Sequence, residues 1–101
     1  MRKTLSVICA SGLLALCAGA AQAAEDVAGR NLAAACAACH GTNGHAVTGM
    51  VGLAGMDKAY MVKTMQEFKT GKRPATVMHQ LAKGYSDDQI VLMADYFSKQ
   101  K

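Results

Sequence analysis

The run Cys36-Ala37-Ala38-Cys39-His40 restricts this 101-residue chain more tightly than any other segment. On a helix, cysteines three residues apart project their sulfurs from nearly one face, and His40 follows at once. Cys-x-x-Cys-His is the spacing of covalent haem attachment. It places two thiols to form thioether bonds with the vinyl groups of one haem c, and an imidazole beneath the ring to bind iron. Two other chemistries use paired cysteines. A redox dithiol normally sits at a helix N-terminus after a strand, where the dipole lowers the thiol pKa, and here the pair ends a helical stretch with no strand before it. Zinc wants more cysteines or histidines at ligand spacing, and outside the motif only His45 and His79 remain.

The residues ahead of the motif have a different character. Arg2 and Lys3 are basic, an apolar run follows through Leu5, Val7, Ile8, Leu13, Leu14 and Leu16, and Ala21-Gln22-Ala23 offers a small-residue cleavage site. This is the pattern of a secretory signal peptide over residues 1–23, and its apolar run is short for a membrane span. A lipoprotein anchor at Cys17 fits less well, because Leu16 stands where a small residue is expected. The expected mature domain is 24–101, periplasmic and with no membrane anchor after cleavage. Cys9 and Cys17 then leave with the signal, so only Cys36 and Cys39 remain to be explained.

A domain that small is marginal without a disulfide, a metal or a cofactor. Its aromatics are Tyr60, Phe68, Tyr85, Tyr96 and Phe97, with no tryptophan, so a large apolar group would supply what the core lacks. The formal charge of +4 falls by two when Arg2 and Lys3 are removed, and two haem propionates would cancel most of the rest. That leaves no continuous basic surface for nucleic acid.

The periodicity predicts an all-α fold. The first helix is expected over 26–39, with Asp26 as N-cap, and Gly41-Thr42-Asn43-Gly44 ends it. Residues 45–55 read as a loop. A second helix from about Asp57 to Gly71 carries Tyr60, Met61, Met65 and Phe68 at helical spacing. Pro74 suits the first turn of a short helix over 75–83, closed by Gly84. Ser86-Asp87-Asp88-Gln89 is a capping box opening a last helix, whose buried stripe is Ile90, Met93, Ala94 and Phe97.

An electron carrier's haem iron usually takes a second axial ligand, and methionine sulfur raises its potential. Met61, Met65 and Met93 fall on helical apolar stripes and read as core. Met50 and Met56 lie soon after the haem motif and are the rivals. Met78, after the Lys72-Arg73-Pro74 turn and before the closing helix, is the expected sixth ligand. His79 points about 100° away from Met78 on a helix, so both cannot face iron, and it reads as a surface residue, as does His45. His40 should donate its other ring nitrogen to a backbone carbonyl of the loop 51–55.

Taken together, Ala34 to Gly44 (AACAACHGTNG), Gly29 in the first helix with Tyr96 and Phe97 in the last, and Arg73 to Ile90 (RPATVMHQLAKGYSDDQI) resemble the class I cytochromes c, in which a helix glycine lets an aromatic ring approach closely. The resemblance spans the mature chain and implies crossed terminal helices around one haem, with Cys36, Cys39, His40 and Met78 as its ligating residues. Val51 stands where that family usually has proline and still offers a carbonyl. The segments FKTGKRPATVM and LAKGYSDDQI are similar to the cytochrome subunit of flavocytochrome c sulfide dehydrogenases, which implies a flavoprotein redox partner that oxidises sulfide.

The expected role is therefore electron transfer, with iron held by His40 and Met78 and no catalytic residue. Lys69, Lys72, Arg73 and Lys83 would bracket the haem edge and favour an acidic partner face. A fixed subunit would instead show an apolar patch among Met50, Val51, Leu53 and Met56. The alternative is a haem enzyme or gas-binding haem protein, which needs an open sixth position.

Overall fold

The computed structural model describes residues 2–101, with side chains from Cys17 onward. The side chains of the expected signal segment up to Leu16 lie outside the described residues. Helix α1 runs Arg2–Ala33, followed by a 3-10 turn Ala34–Cys36, α2 Ala37–His40 and a second 3-10 turn Thr42–Gly44. Then come α3 Lys58–Thr70, α4 Met78–Ala82 and α5 Asp87–Ser98. No strand occurs among the described residues, in keeping with the all-α expectation.

Helix α1 departs from expectation at both ends. It does not begin at Asp26, because residues 18–25 are rich in alanine and contain only Gly19 to weaken the helix. The Asp26 carboxylate instead accepts from Lys99 Nζ at 3.0 Å, tying α1 to the end of α5. Nor does one helix reach Cys39. The chain tightens into the 3-10 turn that ends at Cys36, resumes as the single turn of α2, and stops at Gly41, whose φ of 81° suits glycine.

The terminal helices cross at Gly29. A Cβ there would stand 2.7 Å from the Leu92 carbonyl oxygen and 3.4 Å from Tyr96 Cβ. Glycine thus lets α1 approach the backbone of α5 and the root of Tyr96, rather than an aromatic face. Ala33, Met61, Ala94 and Phe97 form the buried centre, with Cys36, Leu53, Met56 and Met65 packed against it. The α5 stripe of Ile90, Met93, Ala94 and Phe97 is buried as the sequence predicts. Tyr60 is not on the inner stripe of α3. It lies one residue ahead of Met61 and is half exposed, while Met61 is buried.

Local signals set the helix ends. Asp57 Oδ2 accepts from the Tyr60 amide at 2.9 Å, and Gly71 closes α3 in the left-handed region. Ser86 and Gln89 form the reciprocal capping box of α5. Helix α4 is shorter than the expected 75–83 and leaves Pro74 outside it. The reason lies on both sides of the proline. Arg73 is held to α3, its amide on the Glu67 carbonyl at 3.2 Å and its guanidinium on the Glu67 carboxylate at 2.8 Å. Thr76 and Val77, both β-branched, then delay the helix to Met78.

Candidate haem attachment site

Both motif cysteines are free thiols. Cys36 is half-buried against the core and Cys39 is exposed. Burial pushes the Cys36 thiol above its ordinary pKa. This is the opposite of the shift that favours a nucleophilic thiolate at Cys36. No group of three histidine, cysteine or acidic side chains comes together to hold a metal ion among the described residues.

His40 Nδ1 donates to the Val51 carbonyl at 2.7 Å. The bond fixes the ring's tautomer and orientation and leaves Nε2 as the nitrogen available to a metal. Valine in place of proline therefore keeps the contact expected of the loop. The residues fit a covalently attached haem: two unpaired thiols at the motif spacing, and an imidazole already committed through the nitrogen that iron does not use.

The loop that presents Val51 is closed at its base. The Gly44 carbonyl accepts from the amides of Leu53 and Ala54 at 2.9 and 3.2 Å, and the Phe97 carbonyl accepts from Gly55 at 2.9 Å. Gly44 is buried with φ 79°, and a Cβ there would meet Ala54 N at 2.7 Å and Phe97 Cδ1 at 2.9 Å. The turn after His40 is thus pressed onto the end of α5. Asn43, with φ 55°, accepts a hydrogen bond from the Tyr96 hydroxyl. Sequence reasoning misses this pair, although Asn43-Gly44 is a recognisable turn dipeptide.

Met78 opens α4 and is half-buried, with exposed Val77 before it. His79, expected at the surface, is only half-buried: α4 lies against α3, and its Nδ1 is buried without a hydrogen-bond partner among the described residues. Met50 is exposed and Met56 is packed against the core, while His45 is exposed. The four bracketing cations separate into two pairs. Lys69 donates to the Tyr85 carbonyl and pairs with Asp87 at 3.1 Å, and Arg73 is occupied by Glu67. Lys72 and Lys83 are exposed and enter no ion pair among the described residues. The apolar patch divides likewise: Met50 and Val51 are exposed, whereas Leu53 and Met56 are partly buried and packed against the core.

A small helical domain with a Cys-x-x-Cys-His turn packed on crossed terminal helices is the architecture of a c-type cytochrome. The sequence model of the cytochrome c family matches residues 27–101, and the chain belongs to that family. Its members hold haem c covalently and transfer electrons, so this chain is an electron-transfer protein and not an enzyme. It is 39% identical over 69 residues to the cytochrome subunit of sulfide dehydrogenase from Chlorobaculum tepidum, covering 68% of this chain and 63% of that one. Cytochrome c4 of Pseudomonas aeruginosa is 40% identical over 85 residues, covering 82% of this chain and 42% of that one. The solved structure of Acidithiobacillus ferrooxidans cytochrome c4 superposes with a TM-score of 0.61 at 34% identity, covering 63% of this chain and 37% of that one. The chain therefore spans 63% and 42% of the lengths of the two relatives. Among the described residues, no helix is long and apolar enough to cross a membrane.

Proposed function

We propose that the chain is a periplasmic electron carrier, exported by the signal at residues 1–23 and active as the domain 24–101. In this reading Cys36 and Cys39 hold the haem through thioethers, His40 Nε2 binds iron on one side and Met78 on the other. When bound, the haem supplies a reversible one-electron site. The chain's part is to keep both ligands in place, so that neither oxidation state requires large rearrangement, and to shield the iron from water. The single observation that carries the reading is the His40 Nδ1 bond to the Val51 carbonyl, which leaves the other ring nitrogen as a ready ligand.

The partner we propose is a flavoprotein that oxidises sulfide, on the strength of the similarity to the Chlorobaculum tepidum subunit. Lys72 and Lys83 are the cations left to meet an acidic partner face, a smaller set than the sequence suggested. They would act on encounter rate and its salt dependence more than on affinity.

A visible spectrum of protein matured with haem, in native buffer and after denaturing electrophoresis, tests the site. Haem should survive denaturation, and the weak red-edge band of methionine–iron ligation should vanish in Met78→Ala. A band that persists in Met78→Ala would move the ligand to another methionine. Absence of covalent haem would sink the reading of Cys36 and Cys39.

A further inference from the structure

The Val51 carbonyl that engages His40 is poorly anchored by its own surroundings. Val51 is 62% exposed, and its amide enters no backbone hydrogen bond among the described residues. Its position is therefore inherited from the two feet of the loop. Both feet rest on α5. At one, the Phe97 carbonyl accepts from Gly55 N. At the other, the Tyr96 hydroxyl donates to Asn43 Oδ1, across 53 positions of sequence.

Asn43 is the only non-glycine residue at positive φ among the described residues. Asparagine tolerates this region better than most side chains, but the conformation persists only when its surroundings enforce it. Its neighbour Gly44 carries the carbonyl that closes the loop onto Leu53 and Ala54. A continuous path of contacts thus leads from the Tyr96 hydroxyl through Asn43 and Gly44 to Leu53, two residues from Val51, and on to His40.

We propose that Tyr96 and Asn43 are positioning residues for the iron ligand. Their hydrogen bond sets the grip of the Val51 carbonyl on His40 Nδ1, and through it the reduction potential. The inference rests on His40 being that ligand. A firmer bond at Nδ1 makes the imidazole a stronger donor and favours the oxidised iron, so loosening it raises the potential.

The test uses the haem-loaded protein. Tyr96→Phe removes the hydroxyl while keeping the ring and its edge-on contact with Phe97 at 5.4 Å. Solvent exchange of the His40 Nδ1 proton, followed by NMR in the reduced state, should quicken about tenfold, the scale of one lost hydrogen bond. The potential in a redox titration should rise. Asn43→Gly, which removes the acceptor but relaxes the backbone, should behave as Tyr96→Phe does. Asn43→Asp, which keeps an acceptor, should return the exchange rate to near the wild-type value. If both deleting variants leave exchange and potential unchanged while lowering Tm, the pair is merely structural and the proposal is overturned. Wild-type protein with covalent haem but no histidine signature at iron would overturn the ligand assignment itself, and this inference with it.

Discussion

The two sides of the proposed haem site are built differently. On the His40 side the turn, loop and terminal helices close on one another. Phe97 is 2% exposed, Gly44 is buried against it, and backbone hydrogen bonds join Gly44 to Leu53 and Gly55 to Phe97. On the Met78 side a five-residue helix begins without a side-chain cap, and Val77 and Leu81 are 55% and 53% exposed. Short helices gain little from propensity and depend on packing, so α4 relies on its contact with α3. Of the two proposed ligands, His40 is thus placed by long-range tertiary structure and Met78 by a short segment anchored at Arg73.

The largest test of that contrast is Phe97→Ala set against Val77→Ala. Emptying the Phe97 site should cost about 3–5 kcal/mol in denaturant unfolding of the haem-loaded protein. The Val77 change should cost no more than about 1 kcal/mol, because Val77 lies outside the core of Ala33, Met61, Ala94 and Phe97 and its loss opens no cavity there. Equal costs would show that the two sides are equally built and break the comparison. Gly29→Ala probes the crossing itself. Its Cβ would stand 2.7 Å from the Leu92 carbonyl, against backbone that has little room to yield. The clash outweighs the gain in helix propensity and should leave a net loss of about 1 kcal/mol. A stabilised variant would mean that the helices separate freely, and the proximal side would be less rigid than its contacts imply.

How much of this was legible in the sequence follows the same divide between local and distant causes. The Ser86 capping box, the Gly71 stop and the α5 stripe depend on residues within a turn of one another, and all three are found where the pattern puts them. The haem motif was legible because its chemistry is written in five adjacent residues. The start of α4 was not: Pro74 favours a helix at once, but Arg73 is drawn to Glu67 on another element, and Thr76 and Val77 resist the helical rotamers. The expected Asp26 cap fails because the alanine-rich run before it continues the helix, freeing its carboxylate for Lys99. The Tyr96–Asn43 bond lay beyond reach for a simpler reason, since neither periodicity nor spacing pairs a helix with a turn so far upstream.

The smallest expected effect concerns the ions that bind the crossing from outside. Asp95 accepts from Lys99 at 2.6 Å and from Lys58 at 3.2 Å, and Lys99 also reaches Asp26, so one cluster joins α1, α3 and α5. The hydrogen bond from Lys99, with that from Lys58, holds the Asp95 carboxyl below its ordinary pKa against a partial desolvation cost. A group depressed in the folded state stabilises fully above its unfolded pKa and loses that contribution as pH falls through its folded value. The benefit should therefore be intact at neutral pH and fade below about pH 4, the ordinary aspartate range. Lys99 is raised, first by Asp95 and then by Asp26, so its share is full below the ordinary lysine pKa and disappears only as pH rises above it. All these side chains are at least partly in water, so the effect on Tm should be the weakest of the three and should shrink with added salt. Lys99→Ala measured against wild type across about pH 2–8, in steps of about one unit, resolves it. The gap in Tm should narrow below about pH 4. A gap that persists in acid would assign the role of Lys99 to packing of its aliphatic stem, and the crossing would then be held by apolar contact on its rim as well as at its centre.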